Sequence, residues 1–442
     1  MGRERGARPG ALLAGVSAVK ILFLCEIGDP GVGSSTRLMY QLARRLRLAG
    51  HKTRAVCTVR QERDTGEREV EGMLVHHLHS DYPLRFRPWR SLHNRAIDGP
   101  LEKILGAWRP DVVHAHLIHS HIGYHALTQA ARSGAGVVFT AHDVMVFCYQ
   151  KLTCFHGGAA AGGELRDYRA RAAKCIPCQR LRFRPGRNRV IREVLARDVQ
   201  RFTTVSHELR RAIEANGIRV HSTVHNAIEL AASPPGEGEV RALREQLELG
   251  QRPLIALGGR LHEQKGVGLV LELLAELAPR HPDLALLVLG HREAWEGEFR
   301  ARAQALGVEE RVIPTGWLAG AELRAAYAAV DVFLMPSLCF DTFGIVNLEA
   351  MEVARPVIGT SFGGVPEVID HGVSGFVANP FDRHAWREHL STLLANPDLA
   401  RGMGRAGRHR LEQHFSLESM TTAYLAEYEA AREQAAGAAG PS

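Results

Sequence analysis

Short apolar runs alternate with stretches of helical periodicity along most of the chain. In the first half the apolar runs lie at Ile21–Leu24, Arg54–Thr58, Val112–His116, Val137–Thr140 and Phe202–Val205. In the second half they lie at Leu254–Leu257, Leu284–Leu289, Val312–Thr315, Val332–Met335 and Val357–Gly359. Between the runs, apolar residues recur every three or four positions, which is the spacing of one helix face. Buried strands joined by amphipathic helices predict an α/β protein with parallel sheets covered on both faces.

The order of these elements predicts two α/β domains. Residues 231–238 read Ala-Ala-Ser-Pro-Pro-Gly-Glu-Gly, a composition typical of a linker. An amphipathic stretch from about Ser416 to Arg432 predicts a C-terminal helix. The predicted division is a disordered tail over 1–18, a first domain over 19–232, a linker over 233–249, a second domain over 250–415, a C-terminal helix over 416–434 and a disordered tail over 435–442.

Composition restricts the class of protein. The chain has 442 residues, 45% hydrophobic and 23% charged, which is ordinary for a globular protein. No apolar run reaches the roughly 18 residues that a membrane-spanning helix needs. An apolar patch from Ala11 to Val19 is marginal for a signal peptide, because Lys20 interrupts it and Ile21–Leu24 begins the first strand. We therefore expect a cytoplasmic protein.

The net charge of +7 is unevenly distributed. Eleven Lys or Arg residues lie between Arg166 and Arg197, against only Asp167 and Glu193. Two interpretations remain open: a solvated basic face, or a surface for an anionic membrane or an anionic acceptor at the inner face of the membrane. The stretch has only two aromatic residues, Tyr168 and Phe183, and no DNA-binding motif, so nucleic acid is not an expected partner.

A strand, a loop and a helix around Gly344 carry the first candidate site. The apolar run Val332–Met335 ends at Pro336, and a helix is predicted to begin near Gly344. The free backbone amides of Phe343, Gly344 and Ile345 would then face a phosphate at the positive end of that helix. Carboxylates eight positions apart, Asp341 and Glu349, only accept hydrogen bonds. Phosphate together with many hydroxyls describes a nucleotide-sugar.

A second loop supports the same ligand. After the run Leu254–Leu257 comes Gly258-Gly259-Arg260-Leu261-His262-Glu263-Gln264-Lys265-Gly266. Gly259 permits close approach of the backbone, and Arg260 and Lys265 can hold a diphosphate from two sides. The spacing is not that of a Walker A loop, and neither Ser nor Thr follows Lys265.

With these two motifs the chain resembles the family 4 glycosyltransferases, which are retaining enzymes of the GT-B fold. The resemblance covers about residues 19 to 430. Further matching stretches are Gly28–Gly33, Ala49–Lys52, Pro110–His116, His142–Asp143, Val205–Ser206, His225–Ala227, Arg355–Ile358, Gly363–Glu367 and Gly372–Phe376. It implies two Rossmann-like domains facing a central cleft, a nucleotide-sugar donor in the second domain, and a C-terminal helix that packs back on the first.

The resemblance also implies roles for individual residues. Arg260 and Lys265 would neutralise the leaving diphosphate, Glu349 would accept from ribose hydroxyls, and Asp341 from the transferred sugar. The family usually has Glu where this chain has Asp341. His142 would contact the donor sugar. Two glycines of the first domain, Gly31 and Gly33, would let its backbone approach the diphosphate.

Two features of the sequence bear on metal binding. The chain lacks the Asp-x-Asp motif of metal-dependent sugar transferases, so we expect no catalytic metal. His114, His116, His119, His121 and His125 are close together in sequence, but a loop and a helix face near the acceptor explain them better than a metal site.

The cysteine cluster leaves several interpretations open. Cys175 and Cys178 have the spacing of half a zinc site, and Cys148 and Cys154 lie upstream with a looser spacing. A structural zinc, a redox-labile pair and plain buried thiols all remain open. A reducing compartment favours zinc over a disulfide.

The function predicted is retaining transfer of a sugar, of hexosyl type, from a nucleotide diphosphate sugar to a hydroxyl acceptor. Such transfer serves the synthesis of polysaccharides and other glycans, glycolipids or natural-product glycosides. A GT-B sugar phosphorylase or epimerase is one alternative, and a non-catalytic basic binding protein is another. The base, the sugar, the acceptor and the oligomeric state are not encoded in any motif that we recognise.

Overall fold

The computed structural model describes residues 18–438, which form two compact units. Unit 1 comprises residues 18–140, 184–202 and 421–438, and unit 2 comprises residues 141–183 and 203–420. The predicted α/β class with parallel sheets is confirmed. Within the described residues, no helix is both long and apolar enough to cross a membrane.

The first sheet has eight strands in the order β3-β4-β2-β1-β5-β6-β7-β8. They are β1 Lys20–Leu24, β2 Lys52–Val59, β3 Gly66–Val70, β4 Met73–His79, β5 Val112–Ala115, β6 Gly136–Ala141, β7 Arg201–Thr204 and β8 Ser222–Thr223. β3 and β4 form an antiparallel pair, and β4 joins β2 in parallel. β3, β4 and β8 were not predicted. The residues of β3, Gly-Glu-Arg-Glu-Val, are almost wholly exposed and carry no apolar face.

Seven helices accompany this half of the described chain. They are α1 Ser34–Leu48, α2 Arg87–Arg90, α3 Arg95–Trp108, α4 His125–Arg132, α5 Ala172–Gln179, α6 Arg187–Asp198 and α7 His207–Glu214. α1 illustrates their origin: Leu38, Leu42 and Leu46 form one stripe and are buried. It ends before Gly50, whose φ of 90° only glycine adopts without strain.

The second sheet is wholly parallel, in the order β11-β10-β9-β12-β13-β14. Its strands are β9 Leu254–Gly258, β10 Ala285–Leu289, β11 Val312–Gly316, β12 Val332–Met335, β13 Val357–Thr360 and β14 Gly375–Ala378. The order of the strands reverses between β9 and β12. In open α/β sheets, ligands bind outside the carboxyl ends of the strands at such a reversal.

Ten helices complete the described chain. They are α8 Glu237–Gln246, α9 Val267–Leu277, α10 Arg292–Ala294, α11 Arg300–Ala305, α12 Gly320–Ala329, α13 Ile345–Glu352, α14 Val365–Val368, α15 Arg383–Ala395, α16 Pro397–His414 and α17 Leu417–Ala438. The core of this half combines strand residues such as Ile255 and Leu286 with Leu274 of α9 and Trp386 of α15, all fully buried.

The structure changes two predicted boundaries. The segment predicted as a linker, 233–249, contains α8, whose Leu243 is buried and whose Arg244 donates to the carbonyl of Ala329 at 2.7 Å. The Pro-Pro-Gly sequence at 234–236 therefore lies just before a helix and is not part of a longer linker. α17 continues through 435–438, which the sequence analysis assigned to a tail. The rest of the predicted tails, 1–17 and 439–442, lies outside the described residues.

Candidate donor site

The two candidate loops follow β9 and β12, the neighbouring strands at which the order of the second sheet reverses. They also contact each other. The amide of Leu338 donates to the carbonyl of Gln264 at 2.8 Å. Gly266 begins α9 with a φ of 75°, and a Cβ there would lie 2.1 Å from the carbonyl oxygen of Pro336. Glycine at this position therefore lets the two loops pack together, so that both motifs belong to one site.

Lys265 and Asp341 form an ion pair inside this site. The Lys265 ammonium donates to Oδ2 of Asp341, and Ser337 Oγ donates to the same oxygen at 3.1 Å. Burial would raise the pKa of Asp341, but the Lys265 charge and the hydrogen bonds outweigh it and hold that pKa below its ordinary value. Burial would likewise lower the pKa of Lys265, and Asp341 raises it above its usual range. Both side chains are therefore charged near neutral pH.

The remaining cations are more exposed. Arg260 lies at the surface of the loop after β9. Lys151, which the sequence analysis did not single out, interacts electrostatically with Lys265, Arg260 and Asp341, and burial lowers its pKa. Around the Lys265–Asp341 pair the site therefore holds three cations, Lys151, Arg260 and Lys265. Lys151 comes from a loop about 110 residues upstream of the motif after β9, and no sequence spacing relates it to that motif.

The helix that follows the second loop begins as predicted from its glycine. Gly344 has a φ of 80° and immediately precedes α13, where a Cβ would lie 2.9 Å from the Met335 sulfur. Phe343 and Ile345, on either side of it, are buried. The Phe343 amide, which was predicted to face a phosphate, hydrogen-bonds the Asp341 carboxylate instead. The Asn347 amide donates to the Gly344 carbonyl at 3.0 Å, so α13 begins at the carboxyl end of β12 with part of its first turn already paired.

Glu349 lies in the second turn of α13 and receives a hydrogen bond from the Tyr327 hydroxyl at 2.9 Å. Tyr327 is a buried residue of α12, and the sequence analysis missed it. In the sequence, Tyr327 looks like any aromatic residue on the buried face of a helix, so its hydrogen bond to Glu349 could not be predicted. Tyr327 orients the Glu349 carboxylate.

A glycine pair supports the Asp341 loop from behind. The Gly364 amide donates to the Asp341 carbonyl at 2.8 Å. A Cβ on Gly363 would lie 1.9 Å from that same carbonyl oxygen, and a Cβ on Gly364 would lie 2.4 Å from the carbonyl oxygen of Thr342. The Gly-Gly sequence therefore permits direct backbone packing that fixes where the Asp341 carboxylate is held.

His142 lies directly after β6, in unit 2. Its carbonyl oxygen accepts a hydrogen bond from Thr342 Oγ1 at 2.8 Å. The His142 backbone is thereby placed beside the Asp341 loop. The two remaining donor-site candidates, Gly31 and Gly33, belong to unit 1. Gly33 has a φ of 86° and precedes α1, and the Gly31 amide donates to Asp29 Oδ1 at 2.8 Å.

The four clustered cysteines lie near one another in unit 2. Burial raises the pKa of the Cys148 thiol, and Cys154 and Cys178 add to the rise. Burial also raises the pKa of Cys175 to about 11, with the other three thiols contributing. No three of these four sulfur atoms lie within 4.8 Å of one another. Tetrahedral zinc needs sulfur atoms about 3.8 Å apart, from a Zn–S distance of about 2.3 Å. The structural zinc stays a prediction that requires these side chains to rotate.

Four of the five clustered histidines are used within the core of unit 1. His114 bonds to Tyr428 and Thr140, both at 2.8 Å, and His119 bonds to Tyr124 at 2.7 Å. His121 bonds to Ser80 Oγ at 3.0 Å, and the His116 ring packs against Phe23. His125 differs, because its ring lies near His93 and Asp98.

Comparison with known proteins finds similarity to sugar-transferring enzymes. Residues 239–410 match the family described as Glycosyl transferases group 1, and residues 35–232 match Glycosyltransferase Family 4. A GDP-mannose-dependent alpha-(1-6)-phosphatidylinositol monomannoside mannosyltransferase of Mycolicibacterium smegmatis is 38% identical over 173 residues, which is 38% of this chain and 45% of that protein. A D-inositol 3-phosphate glycosyltransferase of Segniliparus rotundus is 29% identical over 345 residues, 75% of this chain and 69% of that protein.

Solved structures share the fold. The structure of Anabaena HepE in complex with UDP and glucose superposes with a TM-score of 0.68 at 19% identity, over 93% of this chain and 99% of that one. At this level of identity the likeness concerns the architecture alone.

Proposed function

The chain belongs to the family 4 glycosyltransferases of the GT-B type, and from that membership we propose that it moves a sugar from a nucleotide diphosphate sugar to a hydroxyl acceptor. The matched part of the M. smegmatis relative is less than half of that protein, so the activity is inferred from the site itself. The observation that carries the proposal is the joining of both loops at the strand reversal, with Lys265 and Asp341 in contact.

The charges of the site suit departure of a nucleoside diphosphate. Negative charge develops on the leaving phosphate oxygen, and preorganised cations stabilise it most effectively. Lys265 and Arg260 supply that positive charge, Lys151 adds to it, and α13 contributes the positive N-terminal end of its dipole. These groups perform the task that a divalent cation performs in other sugar transferases.

The two carboxylates bind hydroxyl groups on different parts of the donor. Glu349, oriented by Tyr327, accepts from the ribose. Asp341 accepts from the transferred sugar, and His142 contacts that sugar from the loop after β6. In a retaining transfer, the departing phosphate oxygen itself can remove the acceptor proton, so His142 is assigned to positioning.

The donor is a hexose nucleotide in this proposal. One relative is described as GDP-mannose-dependent, and the Anabaena structure was solved with UDP and glucose. The acceptor is a hydroxyl compound of a glycan, glycolipid or glycoside pathway, and the reaction is placed in the cytoplasm, where thiols stay reduced.

Two measurements test the proposal. Thermal melting with UDP, GDP and ADP should reveal one base that stabilises the protein, since a ligand at about 100 times its Kd adds roughly 2.7 kcal/mol. Incubation with the corresponding hexose nucleotides should then release nucleoside diphosphate, and the product's anomeric configuration should match the donor's. If none of the nucleotides stabilises the protein, the proposal is wrong. Sugar 1-phosphate or an isomerised donor as product indicates a phosphorylase or an epimerase.

A further inference from the structure

A seven-residue segment of unit 1, 84–90, exposes an unusual amount of apolar surface. Leu84, Phe86 and Trp89 are 49%, 46% and 40% exposed. They account for three of the eleven large apolar residues that are exposed in the described chain. Single exposed apolar side chains are common, but several together indicate an interaction surface.

Arginines alternate with these apolar residues. Arg85, Arg87 and Arg90 lie within the same seven positions, and Asp81 is the one acidic residue between positions 80 and 97. Arg85 and Arg90 are exposed and have no carboxylate partner within residues 18–438. The guanidinium carbon of Arg85 lies 5.1 Å from the centre of the Phe86 ring. The segment therefore presents positive charge and aromatic surface at the same place.

The segment is held firmly at both ends. Before it, the Tyr82 hydroxyl donates to the carbonyl of Ser120 at 2.7 Å. After it, the Asn94 amide nitrogen donates to Ser80 Oγ at 2.8 Å. In the middle, Pro88 is buried and Arg184 donates to the carbonyl of Trp89 at 3.2 Å. Exposure of the apolar side chains is thus built into the fold rather than the result of a loose loop.

The basic stretch that the sequence analysis singled out is less available. In it, Lys174 pairs with Asp167 at 3.1 Å and Arg189 with Glu193 at 3.2 Å. Arg187 is buried, and Arg184 supports the segment just described. Several of the eleven charges are therefore paired within the protein, whereas Arg85 and Arg90 have no carboxylate partner in residues 18–438.

We propose that residues 84–90 dock unit 1 onto the surface of an anionic lipid bilayer. Leu84, Phe86 and Trp89 would enter the interfacial layer, where aromatic rings with a polar edge are favoured. Arg85 and Arg90 would lie at the level of the lipid phosphates, where each basic residue strengthens binding. The segment follows the carboxyl end of β4, and its Tyr82 anchor contacts the loop after β5, so the bilayer would meet unit 1 at that edge of its sheet.

Vesicle sedimentation tests the docking independently of sugar transfer. The full chain should sediment with vesicles of phosphatidylcholine and phosphatidylglycerol, and not with phosphatidylcholine alone. Phe86→Gln with Trp89→Gln should weaken binding at least tenfold. Arg85→Gln with Arg90→Gln should weaken it about 25-fold, about fivefold for each charge near an anionic surface. Added salt should weaken binding of the wild type.

Matched controls distinguish binding through this segment from nonspecific effects of exposed apolar surface and positive charge. Leu48→Gln removes a 73% exposed leucine at the end of α1, on the opposite edge of the sheet. Lys52→Gln with Lys103→Gln removes the same number of exposed charges elsewhere in unit 1. Both controls should bind vesicles like the wild type. Equal binding by the segment variants and these controls overturns the proposal.

A measurement on protein with an intact segment covers the case in which a variant fails to fold. Trp317→Phe leaves Trp89 as the most exposed indole, with Trp108 half-buried and Trp295 and Trp386 buried. Lipids brominated on the acyl chains should quench this protein more than the same protein with Trp89→Phe added, and equal quenching contradicts docking. Binding of RNA that depends on Arg85 and Arg90, with vesicle binding unchanged, would identify a nucleic-acid surface and also overturn the proposal.

Discussion

Asp341 stands where the family 4 glycosyltransferases usually have Glu, and its surroundings hold this shorter carboxylate in place. Its side chain already contacts Lys265 and Ser337, while the backbone behind it rests on Gly363 and Gly364. Because the folded pKa of Asp341 lies below its ordinary value, the pair stabilises the fold above the usual carboxyl pKa. That contribution is lost as the pH falls through the folded pKa.

Lys265→Ala and Arg260→Ala should each reduce turnover about 10- to 150-fold, the loss of a charged hydrogen bond worth roughly 1.5–3 kcal/mol. Lys265→Ala should also raise the pKa of Asp341, because its positive neighbour is gone. Steady-state kinetics across pH measures both effects. Lys103→Ala, an exposed lysine of α3, is the matched control and should keep wild-type turnover. Unchanged turnover in both site variants removes the proposed diphosphate contacts.

Asp341→Ala should lose most transfer but keep binding of the nucleoside diphosphate, since Arg260, Lys265 and Glu349 remain. Asp341→Glu should change the ranking of donor sugars more than the affinity for the nucleotide, because the carboxylate moves outward by about 1.5 Å, one C–C bond. Calorimetry with the nucleotide and transfer assays with several donors measure the two properties separately. Lost nucleotide binding in Asp341→Ala would mean that the residue holds the loop together.

At this scale, sequence identified the groups that lie within a few positions of a glycine turn. Arg260, Lys265, Asp341 and Glu349 were found because spacing along a loop or helix fixes their neighbours. Tyr327 and Lys151 were not found. Each reaches the site from a distant element, and such contacts depend on tertiary packing that no local pattern records.

The paired glycines after β13 give a prediction about elements. Gly364→Ala should destabilise the fold by about 1–3 kcal/mol, as overpacking does, and should lower transfer by displacing the Thr342 backbone. Gly402→Ala is the control, since a Cβ there meets nothing within 4 Å in α16. It should stabilise by about 0.5–1 kcal/mol, because alanine favours the helix interior. Urea unfolding measures both, and a neutral Gly364→Ala contradicts the packing described.

The cysteine cluster gives a second prediction for an element. Protein purified under reducing conditions should contain about one zinc per chain, held by Cys148, Cys154, Cys175 and Cys178 once their side chains rotate. Elemental analysis measures the metal, and Cys178→Ser should lose it together with thermal stability. Cys57→Ser, at a separate buried cysteine, is the control and should retain it. If the protein contains no metal and all four thiols react with a thiol reagent, the cysteines are ordinary free thiols.

The order of most strands and helices could be predicted, because buried strands are continuous apolar runs. The ends of elements that depend on tertiary contacts could not be predicted. α8 was taken for a linker since Pro234 and Pro235 precede it, although Arg244 and Leu243 tie it to the second unit. β14 was missed because its four residues begin at Gly375, where a strand pattern is too short to detect.

For the whole molecule, α17 is informative because its last turns belong to unit 1. Tyr428→Phe should destabilise that unit by about 1–3 kcal/mol, since it removes the partner of the buried His114 Nδ1. Glu429→Gln, the exposed neighbour, should be neutral. Hydrogen exchange of β5 and β6 locates the effect, and equal protection in both variants would show that the contact contributes nothing.

The position of α17 at the end of the chain also determines when unit 1 can finish folding during translation. Residues 18–140 leave the ribosome first, yet the segment that completes their unit begins at Thr421. At about 5–20 residues per second, the intervening stretch of about 280 residues takes roughly 14–56 s to translate. Throughout that interval the side chains that later receive Tyr428 face water or a chaperone. The nascent chain must therefore tolerate an unfinished first half while its second half folds, and ribosomes stalled before residue 421 should carry a first half that proteases still cut.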